Sequence, residues 1–348
     1  MAGNRRLCRP TKNDCLIMPS PFYELLLDSC SSQTKADKLL IGLVWTLCQD
    51  DTQQATGLAM SPNVATRTLP WSGTLTHKPI TDLAAWILDW EPYKATVAMA
   101  AINCCLNSRA LPHSILLEAN PELPNLAVFD HFLPRLQGKN VVVIGHYPGI
   151  ERYQAHMQLS VLERQPQTGD LPDSAAEFLL PKADWVFLTA SSIPNKTFPR
   201  LAELSRHATT VLMGPTLPWL PQLHEFGIDY LAGVEIIDAE RVYQTVAQGG
   251  GVRIFADSVR YRLAELTPNH SMSWVKQQIV DCAADKQRLS LGMEAWYGAG
   301  NRHRFPDYDL LTQTNTRLSH LDSCYKTLWD KQQFTEKQTL LSEGTNGY

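Results

Sequence analysis

The clearest pattern in the chain lies between residues 139 and 233, where short aliphatic runs recur between amphipathic and polar stretches. The runs are KNVVVIGHYPG (Lys139 to Gly149), LSVLER (Leu159 to Arg164), ADWVFLTA (Ala183 to Ala190), TTVLMGP (Thr209 to Pro215) and IDYLAG (Ile228 to Gly233). Short apolar runs bounded by turn residues read as strands buried on both faces, and stretches such as TFPRLAELSRHA and DAERVYQTVAQGG read as the helices between them. That alternation predicts an α/β fold built on a parallel, doubly wound sheet. Ligands on such sheets sit outside the carboxyl ends of the strands. The rule makes one rim of His146 to Gly149, Glu163, Ala190 to Thr197 and Gly214 to Pro218.

The preceding part reads as mixed α and β. FYELLLDSC predicts a helix, and LIGLVWTLCQ predicts a strand that turns at QDDTQQ and pairs with ATGLAMSP. TDLAAWILDW and KATVAMAAINCCL predict two successive helices, the first capped by Thr81. A small antiparallel sheet covered by helices fits this order. LPHSILLEANPELPNL (Leu111 to Leu126) is proline-rich and reads as a linker. From Ser258 onward the text turns polar and helical with few strand signals, as expected of a docking extension or the arm of a homo-oligomer. The organisation expected is a tail (1–20), a small α+β unit (21–125), the doubly wound domain (126–256) and a helical extension (257–348).

Composition narrows the classes. The chain of 348 residues is 44% hydrophobic and 19% charged, so it can bury a real core and is not a disordered chain. Its 31 basic and 35 acidic residues leave a net charge of −4, which gives no reason to expect nucleic acid or an anionic membrane as partner. The beginning, MAGNRRLCRPTKNDC, has no apolar run after its basic residues, and the apolar run Leu39 to Cys48 is too short to cross a bilayer. Eight cysteines in a chain this long are too sparse for a small disulfide framework, so the cytoplasm is the expected compartment.

Candidate chemistry is confined to the rim. No C-x-x-C or H-E-x-x-H occurs, Cys8, Cys15 and Cys30 are widely spaced, and Cys104 and Cys105 are neighbours on a helix whose side chains diverge. VVVIGHYPG lacks the dinucleotide fingerprint, because His146 and Tyr147 stand where a pyrophosphate needs bare backbone. No G-x-S-x-G elbow or P-loop is present either. Glu163 ends the second strand, where an acid can accept hydrogen bonds from ribose, which keeps S-adenosylmethionine in view as a cofactor; a solvated strand-end carboxylate reads the same way. Ser191, Ser192, Asn195 and Thr197 in TASSIPNKT can hold carboxylate or phosphate oxygens, or simply form and cap a turn. Gly214, Pro215 and Thr216 open the stiff loop GPTLPWLP. His146 is the one strand-end histidine and the candidate general acid or base, with Asp170 in TGDLPD as a further acid; His207 and His224 fall on helices as packing or surface residues.

Six segments in order resemble the heavy-metal chelation family: IGLVWT (41–46), ATVAMAAINCCL (95–106), VVVIGHYP (141–148), VLERQPQTGDLPD (161–173), ADWVFLTASSIPNKT (183–197) and GPTLPWLPQLHEFGIDYLAG (214–233). Together they span about two-thirds of the chain, from Pro21 to Phe255. The resemblance implies an enolase N-terminal-like domain fused to a Rossmann-like domain, with a site between them. It also implies condensation or hydrolysis of a pterin-, flavin- or siderophore-like molecule connected with metal handling. Matching positions are Asn103, His146, Glu163, Asp170, Asn195, Thr197, Gly214 and Pro215. TASSIPNKT departs from the family, which more usually has a Gly and a Thr there. The expected partners are therefore a small-molecule ligand and a transition metal or its chelate. The preferred expectation is an enzyme, with a non-catalytic metal-chelate binder and a methyltransferase as the other two.

Overall fold

A computed structural model describes residues 20–30, 33–107 and 113–344; the expected tail 1–20 lies outside the described residues apart from Ser20. The chain enters with α1 (Pro21–Ser29) and a three-stranded antiparallel sheet of β1 (Ala36–Ile41), β2 (Trp45–Asp50) and β3 (Thr56–Met60). Two helices follow, α2 (Ile80–Ala84) and α3 (Pro92–Asn107). Every residue of α3 from Ala95 to Leu106 is buried, which is why that stretch is alanine-rich and has no polar face. It lies directly on β3: a β-carbon on Gly57 would stand 2.1 Å from the carbonyl oxygen of Ala100.

Two local expectations are corrected here. LIGLVWTLCQ is not one strand but the end of β1, a reversal and most of β2. The Gly42 N–H closes the reversal on the Trp45 carbonyl at 2.9 Å, and a β-carbon on Gly42 would meet the Val246 carbonyl at 2.7 Å. Apolar content hides the turn, because Leu43 and Val44 lie within it although Leu43 is 78% exposed. Thr81 does not cap α2, whose N-cap position is Pro79. The Ile80 N–H donates to the Thr34 carbonyl at 3.1 Å, so a tertiary contact supplies the acceptor that a capping side chain would have provided.

The large sheet contains β4 (Ser114–Leu116), β5 (Asn140–Ile144), β6 (Gln158–Glu163), β7 (Leu171–Pro172), β8 (Trp185–Thr189), β9 (Thr209–Met213), β10 (Tyr230–Ile236) and β11 (Val259–Glu265). Their spatial order is β4-β11-β10-β9-β8-β5-β6-β7. From β7 to β10 every pairing is parallel, and the chain winds outward from β5 in both directions, as the aliphatic runs predict. The helices of this domain are α4 (Ala127–Leu136), α5 (Ala176–Leu179), α6 (Phe198–Leu204) and α7 (Ala239–Ala247).

Three stretches outside the expected strands join this sheet, the two-residue β7 at one edge among them. Val259–Glu265, in the part read as helical, pairs antiparallel with β10. Its inward residues Val259, Tyr261 and Leu263 alternate with Arg260 and Arg262, a period-two signal diluted by charge. Part of the expected linker, Ser114–Leu116, pairs antiparallel with β11 as an edge strand. Beyond β11, α8 (Pro268–Gly298) and α9 (Tyr308–Gly344) fold back on each other around Met272, Val275, Cys282, Leu321, Cys324 and Leu328. This hairpin docks through Trp274 on Trp219, ring centroids 6.5 Å apart, and through a buried Gln222–Gln278 hydrogen bond of 2.9 Å.

Candidate functional site

A cleft of about 1090 Å³ opens between the small sheet and the carboxyl edge of the large one. It lies at the switch point, where β5 has β6 on one side and β8 on the other. β5 ends at Ile144, and Gly145, at φ +98°, turns the chain outward into His146. A side chain at 145 would press on Thr189, since a β-carbon there would stand 3.2 Å from Thr189 Cβ.

His146 is held at three points. Its backbone N–H donates to Glu163 Oε2 at 3.0 Å. Its ring Nδ1 stands 3.0 and 3.1 Å from the two oxygens of Asp170, whose side chain is only 4% exposed. Asp170 in turn accepts the Gln167 N–H at 3.0 Å. Glu163 Oε1 accepts the backbone N–H groups of Arg164 at 2.7 Å and Gln165 at 3.4 Å, so this carboxylate braces two strand ends at once. Asp170 does not line the cleft; it stands behind His146 and orients it.

The loop after β8 forms the second wall. Ser191, Ser192, Asn195 and Thr197 all line the cleft. Ser191 Oγ pairs with Thr189 Oγ1 at 3.0 Å, Ser192 Oγ donates to the Thr189 carbonyl at 2.7 Å, and the Thr197 N–H donates to the Ser192 carbonyl at 3.0 Å. The loop is tied to the N-terminal unit by Tyr23, whose hydroxyl donates to the Ile193 carbonyl at 2.9 Å. Lys196, at φ +67°, adds a hydrogen bond to the Ile87 carbonyl and places its ammonium 4.5 Å from the Tyr23 ring centroid. Burial lowers its pKa to about 8, with Asp89 opposing.

Gly214, Pro215 and Thr216 close the site from β9. Thr216, 2% exposed, accepts the Met60 N–H on Oγ1 at 2.8 Å and the Asn103 amide on its carbonyl at 3.0 Å. The same Asn103 nitrogen donates to the Leu58 carbonyl at 2.8 Å. Asn103 is buried and off the cleft, so it acts as a stitch between the two domains and not as a lining group. His207, in the turn after α6, and His224 also lie away from the cleft.

Sequence reasoning missed several lining residues. The small domain contributes Trp45, Met60 and Asn63, and the large one adds Tyr147, Lys196, Phe255 and Tyr261. Asn63 and Gln165 exchange two hydrogen bonds, 3.1 and 3.2 Å, across the cleft mouth. Tyr147 and Lys196 sit inside the quoted motifs GHYP and TASSIPNKT, where neither residue type by itself signals a cleft-lining group. The remainder arrive from other strands (Trp45, Met60, Tyr261) and from connecting segments (Asn63, Phe255) and carry no local signal.

Fold and cleft together define a Rossmann-like α/β protein whose sheet is covered at its carboxyl edge by a small α+β unit. Two family profiles, both described as "Putative heavy-metal chelation", match residues 23–106 and 127–265, and the chain belongs to that family. A crystal structure of a protein of unknown function from Desulfitobacterium hafniense is similar at TM-score 0.62 and 28% identity, over 70% of this chain and 97% of that one. A second such protein, from Pyrococcus horikoshii, is similar at TM-score 0.55 and 18% identity over the same shares, a likeness of fold. An uncharacterized protein of Methanocaldococcus jannaschii is 35% identical over 86 residues; the match covers 23% of this chain and spans about a third (33%) of that relative. The helices α8 and α9 lie beyond both family matches. No helix among the described residues is long and apolar enough to cross a membrane.

Among the described residues the donor set does not fit a bare heavy-metal ion. Among the described residues no three His, Cys, Asp or Glu side chains converge. The Glu163 and Asp170 carboxylates are engaged by backbone N–H groups and by His146. Cys48, Cys104 and Cys105 are buried, and contact with Cys48 followed by burial pushes the Cys104 thiol well up, away from the thiolate that binds metal.

Proposed function

We propose that the cleft binds an organic small molecule of metal-chelator, pterin or siderophore-like character, and that His146 acts on it as general acid and base in a condensation or hydrolysis. The observation that carries this reading is the His146–Asp170 pair. A buried carboxylate 3.0 Å from Nδ1 selects the tautomer with its proton on that nitrogen. Nε2, for which the described residues supply no hydrogen-bond partner, is then left as the proton acceptor on the cleft side. The volume, about 1090 Å³, suits a molecule at the upper end of the drug-sized range. Trp45, Tyr147, Phe255 and Tyr261 offer apolar faces to a conjugated ring, while the Ser191–Thr197 loop offers hydroxyl and amide groups to its polar edge.

A second reading, a non-catalytic holder of a metal chelate, draws on the same lack of convergent donors: a chelator brings its own ligands, so the protein need supply none. A methyltransferase is less well supported, because the carboxylate that would hold ribose already accepts three backbone N–H groups.

Native mass spectrometry of gently purified protein against its denatured mass tests these readings. An organic mass excess is expected. An excess of metal plus chelator would favour the second reading. Absence of any excess, with no thermal shift on adding pterin, S-adenosylmethionine or a ferric hydroxamate, would overturn the organic-ligand reading.

A further inference from the structure

Tyr147 follows His146 directly and lines the same cleft. Its ring packs edge-on against Phe129, centroids 5.4 Å apart, which fixes the direction of the phenol. The hydroxyl is buried and has no hydrogen-bond partner among the described residues. Among those residues Thr189 is the one polar side chain near enough to exert a hydrogen-bonding pull on it, and its hydroxyl is already engaged with Ser191 Oγ at 3.0 Å. Burial pushes the phenol well above the ordinary tyrosine range, and Glu163 pushes the same way, so the group stays neutral and keeps its proton. Above it stands Gly214, at φ +109°, where a β-carbon would come 3.8 Å from Tyr147 Oη. A glycine at this position keeps side-chain bulk off that side of the hydroxyl.

A buried hydroxyl without a partner is destabilising, and folds rarely keep one without use for it. Phe129, which packs against the ring, is apolar, so a phenylalanine would fit the same wall. We propose that Tyr147 Oη donates a hydrogen bond to the oxygen of a carbonyl group in the ligand, which makes the substrate an amide, lactam or ester. The proposal rests on the organic-ligand reading of the cleft and names the bond on which that chemistry acts.

The two adjacent residues then divide the work. His146 Nε2 takes a proton from water as the water oxygen bonds to the carbonyl carbon. The C=O π pair moves onto the oxygen, where the Tyr147 hydrogen bond strengthens as negative charge develops. Collapse of the tetrahedral intermediate re-forms C=O and breaks the bond to the leaving nitrogen or oxygen, which receives the proton from His146. Water and an acyl compound give an acid and an amine or alcohol, and the condensation is the same path reversed.

The substitution Tyr147→Phe tests this with two readouts. In the ligand-free protein the melting temperature is expected to rise by about 2 °C, because an unsatisfied buried group is removed. A fall would mean that the hydroxyl has a structural partner, and would overturn the proposal whatever the ligand. In a fluorescence titration with pterin, a lactam, the dissociation constant is expected to rise about tenfold in Tyr147→Phe. Unchanged affinity would also overturn it. Wild-type protein that ignores pterin counts against pterin-like ligands in the cleft, and the assignment of Tyr147 is then decided by the sign of the thermal shift.

Discussion

The substitution Thr216→Val isolates one link between the two domains. Thr216 Oγ1 accepts the Met60 N–H at 2.8 Å, and the residue is 2% exposed. Valine keeps the shape and the methyl group but removes the acceptor, so a part-buried backbone donor at the end of β3 loses its partner. Stranding such a donor costs about 1–3 kcal/mol. The Asn103 hydrogen bond to the Thr216 carbonyl survives the change, so the loss reports the Met60 bond alone. At about 2–4 °C per kcal/mol for domains of moderate size, a drop of several degrees in Tm is expected. Urea unfolding followed by tryptophan fluorescence gives the free energy, and hydrogen exchange at the Met60 amide should accelerate. Thr216→Ser is the control, since it keeps the oxygen and loses only a methyl, worth about 0.8 kcal/mol of burial. If Thr216→Val melts at or above the wild-type temperature while Thr216→Ser melts below it, packing and not the hydrogen bond joins the domains here.

Other outcomes follow from the same geometry. Asp170→Ala should release the His146 tautomer, so that ring ¹⁵N shifts change from a single Nδ1–H form to a mixture; an unchanged spectrum would remove Asp170 as the orienting group. Lys196 has a folded-state pKa of about 8 against an ordinary 10.5, so between those values the unfolded chain binds more protons. Its contribution to stability therefore rises as pH climbs from about 8 to 10.5, and wild type should gain on Lys196→Met over that window in chemical denaturation; a constant gap would refute the buried ammonium. Cys104, buried with its thiol pKa pushed up, should be silent to a thiol reagent in the native protein and react once it is unfolded.

The aliphatic runs carried most of the large domain. KNVVVIG, LSVLE, WVFLT, TTVLM and the run ending IDYLAG correspond to β5, β6, β8, β9 and β10, because strands buried on both faces need continuous apolar sequence and little else can use it. The winding of the sheet followed from that alternation, and with it the rim on which His146, Glu163, the Ser191–Thr197 loop and Gly214–Thr216 come together. Where the pattern was weaker the reading failed for identifiable reasons. β11 was obscured by Arg260 and Arg262 on its outward face, and the β1–β2 turn by the apolar residues Leu43 and Val44 within it.

By itself the sequence determined the parallel sheet, the residues on its carboxyl edge and the family, since each depends on local composition and ordered segments. Tertiary structure alone decided what those residues do for one another. Asp170, 24 positions from His146 along the chain, becomes its hydrogen-bond partner because β6 and β7 bring the two strand ends together. Asn103 and Thr216, 113 positions apart, become a stitch between domains. Burial leaves the Tyr147 hydroxyl without a partner, a property that exists only once the walls around it are assembled. Hydrophobic periodicity acts over a few residues and is written in the chain, whereas hydrogen-bond pairing and desolvation depend on which distant segments the fold brings into contact.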